Sequence, residues 1–277
     1  MLWLDGKIQE DARASFDLRD RGLLLGDGLF ETFVAWNGRA FMLDAHLDRL
    51  LAGAAALQMP IERELLRPPV DALAAALPSG GVIRLTVTRG TGPRGLRLPA
   101  HQTPVVFATA SAPWRPALEL PQVRLATTSI RRNASSPLSR HKTLAYLDNV
   151  LALQEALERG ADDALLLTTQ GRVACASAAN LFLIHGRNLL TPPLEDGVLA
   201  GITRGLVLQQ IAPMCGLNPR EASLSREALF KADAVFLTNS VALVTEVIDV
   251  DGVPLARHAR ALVEHVCSTL ATLVRDQ

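Results

Sequence analysis

The chain has 277 residues, 49% of them apolar and 20% charged, the balance of an ordinary folded protein with material for one large or two modest domains. Its 28 Lys and Arg offset 28 Asp and Glu to a formal net charge of zero, which argues against a nucleic-acid or anionic-membrane binder held by bulk charge. No apolar run approaches the roughly 20 residues of a membrane span, the stretch MLWLDGKIQEDAR shows no signal-peptide core, and three sparse cysteines (Cys175, Cys215, Cys267) fit a reducing cytoplasm better than a disulfide scaffold.

Turn chemistry punctuates the first hundred residues. Asp5-Gly6 and Asn37-Gly38 each sit between apolar stretches, as type I′ hairpin turns do. Asp44 reads as an N-cap for the helical pattern DAHLDRLLAGAAALQM. A second helical stretch, Glu62 to Leu77, is expected to break at Pro68-Pro69. GVIRLTVT and PVVFATA read as strands, and the proline-rich SAPWRPALELPQ as a linker. Beyond it VRLATTSI is strand-like, and TLAYLDNVLALQEALERG predicts a long helix stopped at Gly160. ADDALLLTT, Gln170-Gly171 and RVACAS form a hairpin pattern, followed by the strand NLFLIHG. ITRGLVLQQIAPMCG predicts a helix, ADAVFLT and ALVTEVIDVDG strands, and PLARHARALVEHVCSTLATLV a last helix. Strands and helices mix without a βαβ alternation, so the expected class is α+β in two domains, 1–112 and 122–277, around a linker at 113–121.

Lysine occurs only at Lys7, Lys142 and Lys231. Lys7 and Lys231 read as solvent-facing. Lys142 stands between a basic loop (Arg131, Arg132, Arg140, His141) and an apolar helix pattern. It is either a lysine of no special role at a helix start or an amine whose pKa is depressed by charge and burial, ready for Schiff-base chemistry. Gly201-Ile202-Thr203, where a loop meets a helix, suits an anion bound by backbone N–H groups. Arg49 and the Thr238-Asn239-Ser240 run could add donors. Nucleotide-binding loops, a nucleophile elbow and a four-ligand zinc pattern are all missing.

DRGLLLGDGLFET, HLDRL, HKTLAYLDNVLALQEA, ANLF, LTPPL and LAGITR, in that order between about Leu4 and Pro254, resemble the class-IV (fold-type IV) pyridoxal-phosphate enzymes. That family includes branched-chain and D-amino-acid aminotransferases and 4-amino-4-deoxychorismate lyase. The resemblance implies a two-domain α+β fold like that of D-amino-acid aminotransferase, with a small N-terminal domain, a larger C-terminal one, a cofactor cleft between them and a homodimer. It gives Lys142 the role of the Schiff-base lysine and Arg49, in the H-x-x-R pattern with His46, that of the phosphate-binding arginine. Ile202, Thr203 and Ser240 match phosphate donors, Leu199 the residue packed on the pyridine ring, and Asn180 the asparagine that closes the cofactor hairpin. Phe30 and Arg94 match substrate-binding positions, Arg94 that of a carboxylate-binding arginine.

Two departures stand out against that family. The glutamate that usually meets the ring nitrogen, five residues before the asparagine, is here Cys175. A thiol, with a reference pKa of about 8.5, stabilises a protonated ring far less than a carboxylate. The second is Arg94-Gly95-Leu96, which lacks the histidine of the D-amino-acid enzymes. The implied activity is a cytoplasmic pyridoxal 5′-phosphate aminotransferase, slow or atypical because of Cys175, moving an amino group between a branched-chain or D-amino acid and a 2-oxo acid. Elimination of pyruvate from aminodeoxychorismate, and a catalytically impaired cofactor-binding protein, are the alternatives.

Overall fold

The structure is a computed structural model that describes residues 1–11, 13–117 and 119–277. Ala12, and Leu118 in the expected linker, lie outside the described residues. The chain folds as two compact units, one of residues 1–115, 141–145 and 277, the other of residues 116–140 and 146–276.

In the first unit, β1 (Leu2–Leu4), β2 (Lys7–Gln9), β3 (Gly28–Trp36), β4 (Arg39–Ala40), β5 (Gly81–Thr88) and β6 (Val105–Ser111) form one sheet in the order β2-β1-β6-β5-β3-β4. Its two tight turns are those expected: Asp5 and Gly6 have φ of 50° and 78°, Asn37 and Gly38 of 51° and 76°, positive at both central positions as the twist of a hairpin favours. The short α1 (Arg21–Leu25) is capped by Asp20, whose Oδ1 accepts from Gly22 N at 2.6 Å. α2 (Leu43–Ala56) and α3 (Arg63–Ala75) cover one face of the sheet. Leu29, Phe33, Ile83, Leu85 and Val87 of the strands meet Leu47, Leu50, Leu66, Val70 and Leu73 of the helices in one buried cluster, each such side chain contributing about 1.5–3 kcal/mol by leaving water.

Two local expectations give way to this packing. Asp44 is not the N-cap of α2. The cap position is Met42, in the left-handed region with φ 54°, and Asp44 lies in the first turn, where its charge still favours the positive end of the helix dipole. Nor does α3 break at Pro68-Pro69. The prolines remove helix hydrogen bonds, but Leu66, Pro69, Val70 and Leu73 are all buried in the core, and this burial holds both halves of the helix in line.

The second unit is built on β7 (Gln122–Arg132), β8 (Asp163–Thr168), β9 (Val173–Ala176), β10 (Asn180–His185), β11 (Asn188–Thr191), β12 (Asn218–Glu221), β13 (Ala234–Asn239), β14 (Leu243–Val250) and β15 (Val253–Pro254). The strand order is β12-β11-β10-β13-β14-β7-β8-β9, and β9 pairs back onto β10. The ring β10-β13-β14-β7-β8-β9 is therefore closed, which removes its free edges. One core cluster of this unit includes Leu125, Leu165, Val173, Leu181, Val235 and Val247. The parallel pair β11–β12 has no signature in the sequence pattern, because β12 is a polar four-residue edge strand.

α4 (Leu147–Glu158) starts later than the amphipathic pattern suggests. Thr143–Ala145 group with the first unit, although residues 122–277 were expected to form the second domain. The expected helix at 202–216 is α5 (Ile202–Leu206), running through a π-helical turn at Val207–Ile211 into α6 (Ala212–Met214). α7 (Arg226–Phe230) and α8 (Arg260–Arg275) complete the unit. Among the described residues no helix is long and apolar enough to cross a membrane.

Candidate active site

The segment carrying Lys142 leaves the helix pattern because it is bound as a strand. Phe30 N–H donates to Lys142 O and Leu144 N–H to Gly28 O, each at 2.9 Å, and Leu29 pairs with Thr143. These bonds pin Lys142 beside β3. Its Nζ lies 4.1 Å from the centroid of the Phe30 ring, and the guanidinium carbon of Arg84 on β5 lies 3.6 Å from the same centroid. A face of an aromatic ring attracts cations, so Phe30 helps to fix both. Lys7 and Lys231 are exposed, as expected.

Successive side chains of a strand point to opposite faces, so Glu31 points away from Phe30, into the core. It is fully buried, at 0% exposure. It accepts from His46 Nδ1 at 2.7 Å, from Arg49 Nε at 2.7 Å and from Arg49 Nη2 at 2.5 Å. Burial alone would push its carboxyl up, but the Arg49 charge and the hydrogen bonds from His46 and Arg49 outweigh it and hold the pKa below the usual carboxylate range. His46 moves down, chiefly because burial disfavours its cation against the pull of Glu31, with Arg49 and Lys142 adding to the effect. A neutral imidazole facing an ionised carboxylate carries its proton on Nδ1.

In the second unit three expected positions share one neighbourhood. Asn180 stands opposite Cys175 across β9–β10 and opposite Thr238 across β10–β13. Asn180 Nδ2 donates to Leu199 O at 2.9 Å, which ties the loop before α5 to the strand. A Cβ at Gly201 would lie 2.0 Å from Asn180 Oδ1, so any larger residue there requires the Asn180 amide to move. Ile202 and Thr203 follow at the start of the helical run, where the first N–H groups have no partner four residues back. Ser240 sits in the β13–β14 turn, which Asn239 Oδ1 shapes by accepting from Val241 N at 2.9 Å and Ala242 N at 2.7 Å. The buried Thr238 Oγ1 has no hydrogen-bond partner among the described residues. Cys175 is a buried free thiol. Burial pushes its pKa up, and the charge of Arg132 only partly offsets this.

Arg94 lies exposed on the loop after β5. That loop is tethered from below: Arg21 Nη1 donates to Gly95 O at 3.1 Å and to Arg97 O at 3.4 Å, while Arg21 Nε and Arg89 Nε both reach Asp27 Oδ2 at 2.8 Å. Glu31 and Arg84 were not among the expected site residues. Their signal in the sequence is faint, a single charge inside an otherwise apolar strand (LFETFVAW and GVIRLTVT).

Residues 28–250 match the family model described as amino-transferase class IV. The chain belongs to the class IV aminotransferase family. A putative branched-chain-amino-acid aminotransferase of Methanocaldococcus jannaschii is 35% identical, over 91% of this chain and 88% of that one. The crystal structure of a branched-chain aminotransferase from Thermoproteus uzoniensis with norvaline matches at a TM-score of 0.87 and 31% identity, covering 100% of this chain and 95% of that one. The 4-amino-4-deoxychorismate lyase structure from Pseudomonas aeruginosa matches at 0.84 and 32%, covering 98% and 100%. The fold is thus fold-type IV, and the family is one of pyridoxal-phosphate-dependent enzymes, aminotransferases with a lyase among them.

Proposed function

We propose that this class IV protein is an aminotransferase that uses pyridoxal 5′-phosphate to move an amino group between a branched-chain or D-amino acid and a 2-oxo acid. The observation that carries the reading is the pinning of Lys142 to β3 by paired backbone hydrogen bonds beside Phe30, which presents one amine at a defined place. Three features suit the cofactor's phosphate and ring: the Arg49 guanidinium, the buried unpartnered hydroxyl of Thr238, and the close fit of Gly201 against Asn180. In this reading Arg49, Ile202, Thr203 and Ser240 hold the phosphate, and Leu199 packs on the ring, with Asn180 fixing the loop that carries it. Phe30 and Arg94 meet the substrate. The chemistry supplied by bound pyridoxal phosphate is withdrawal of electrons from the substrate α-carbon. Lys142 Nζ takes and returns the proton at that carbon.

Cys175 faces the ring nitrogen in this reading, and as a buried neutral thiol it supports a protonated ring poorly. The Cys175→Glu variant is expected to run the first half-reaction about 10- to 100-fold faster, the worth of one charge-assisted hydrogen bond. Single-turnover kinetics check this, and an equal or lower rate removes Cys175 from the ring nitrogen's surroundings. The protein works in the cytoplasm, in keeping with its free cysteines. It pairs as a homodimer, for which exposed Leu23, Leu24 and Leu25 on α1 and Leu147 and Leu151 on α4 supply apolar surface.

The test is to mix protein and cofactor with a panel of L- and D-amino acids and a 2-oxo acid. Formation of a new amino acid from the 2-oxo acid supports the proposal. The likeness to the Pseudomonas aeruginosa lyase, 32% identical against 31% for the Thermoproteus uzoniensis aminotransferase, favours one rival reading. Pyruvate and 4-aminobenzoate from aminodeoxychorismate, with no amino transfer, would establish it. Cofactor binding without turnover of either kind would leave an impaired relative.

A further inference from the structure

We infer that Glu31 is a positioning residue, a buried anionic brace that sets the plane of the Arg49 guanidinium and thereby the grip on the cofactor phosphate. The inference deepens the function proposed above and rests on Arg49 as a phosphate-binding residue.

A carboxylate at 0% exposure inside a strand is costly, and its three donors offset that cost here. Its effect on Arg49 is not a gain of charge. A neighbouring anion makes the pair neutral and weakens the bare attraction of Arg49 for a phosphate. What Glu31 supplies is orientation. It engages both Nε and Nη2, the fork geometry that fixes a guanidinium in its plane. An arginine side chain has much rotamer entropy to lose on binding an anion, and this contact removes that loss beforehand.

The brace is itself braced. His46 and Arg49 are three residues apart on α2 and so lie on one face of it, and both reach the same carboxylate. The His46 ring stands edge to face with Phe33, centroids 4.7 Å apart, so its Nδ1–H has one direction. Neutral His46 adds a donor to Glu31 without adding a third charge next to Arg49. Glu31 also follows Phe30 in β3, whose N–H bonds Lys142 O. One strand thus sets the amine through residue 30 and the guanidinium through residue 31, on its two faces.

The experiment compares dissociation constants for pyridoxal phosphate and for pyridoxal, which lacks the phosphate, in the wild-type protein and in Glu31→Gln, Arg49→Ala and the double variant. Glu31→Gln is expected to weaken pyridoxal phosphate roughly 10- to 100-fold and to leave pyridoxal within about twofold, with no further loss when added to Arg49→Ala. Equal weakening of both ligands, or a full additional loss in the double variant, overturns the brace and makes Glu31 a residue of the fold alone. If Arg49→Ala itself leaves the ratio of the two affinities unchanged, Arg49 does not hold the phosphate, and the reading beneath the inference falls with it. Should Glu31→Gln fail to fold, Glu31→Asp keeps the charge but shortens its reach. It is expected to lose part of the phosphate-dependent affinity and none of the pyridoxal affinity, and an unchanged phosphate-dependent affinity counts against the brace.

Discussion

Replacing Lys142 by alanine is expected to lower turnover by at least about 1,000-fold, within the range that loss of a general base costs. The reason lies in the arithmetic of amines. The other lysines, Lys7 and Lys231, are both exposed, and only Lys142 is held against β3 by backbone pairing. No neighbouring amine can take its place. Under the proposed function, Arg49 and the phosphate donors of the second unit are untouched by this change, so the loss should appear in the rate constant for proton transfer more than in the affinity for the cofactor. Borohydride reduction of the wild-type protein with its cofactor, followed by peptide mapping, should label the peptide containing Lys142, and the variant should stay unlabelled. A label elsewhere, or turnover within tenfold of wild type in Lys142→Ala, would sink the assignment.

The second large effect is on stability. Arg89 is 2% exposed. Its Nε donates to Asp27 Oδ2 at 2.8 Å, Nη1 to Gln58 O at 3.0 Å and Gln102 Oε1 at 2.6 Å, and Nη2 to Leu57 O at 2.7 Å. It thus closes the end of α2, where carbonyl groups lack helical partners, and ties that end to Asp27. Burial raises the cost of the Asp27 charge, yet Arg89 and Arg21 together hold its pKa below the usual range. Arg89→Ala removes the cation, takes away the donor that Arg89 gives to Leu57 O and Gln58 O, and opens a void. The expected loss is about 3–5 kcal/mol, measured by urea unfolding. Arg124→Ala is the control: its pair with Asp162 is about half exposed, and its unfolding midpoint should move far less than that of Arg89→Ala. If the two variants unfold alike, the buried network contributes no more than a surface pair.

Much of the fold and of the candidate site is legible in the residues themselves. The Asp5-Gly6 and Asn37-Gly38 turns, the strand patterns and the ordered motifs around Lys142, Asn180 and Ile202 are local signals, set by allowed dihedrals and by which side chains alternate between water and core. Other features are not local. Glu31 reads as one more charge in a strand until α2 brings His46 and Arg49 against it. Arg84 gains a place only when β5 lies beside β3 and sets it over Phe30. Asn180, Cys175 and Thr238 are separated in sequence and meet because three strands come into register.

The same division explains the expectations that gave way. Pro68-Pro69 breaks an isolated helix, but buried leucines on either side outweigh the missing hydrogen bonds. The residues after Lys142 have helical periodicity, but strand pairing with Gly28 and Phe30 claims their backbone first. By itself the sequence determined the turns, the faces of its helices and strands, and the family to which its motifs belong, because these depend on neighbours a few residues apart. Only the tertiary structure decided which charges are buried, which donors face them and where the single pinned amine stands. Those depend on desolvation and register, and neither exists until distant segments pack together.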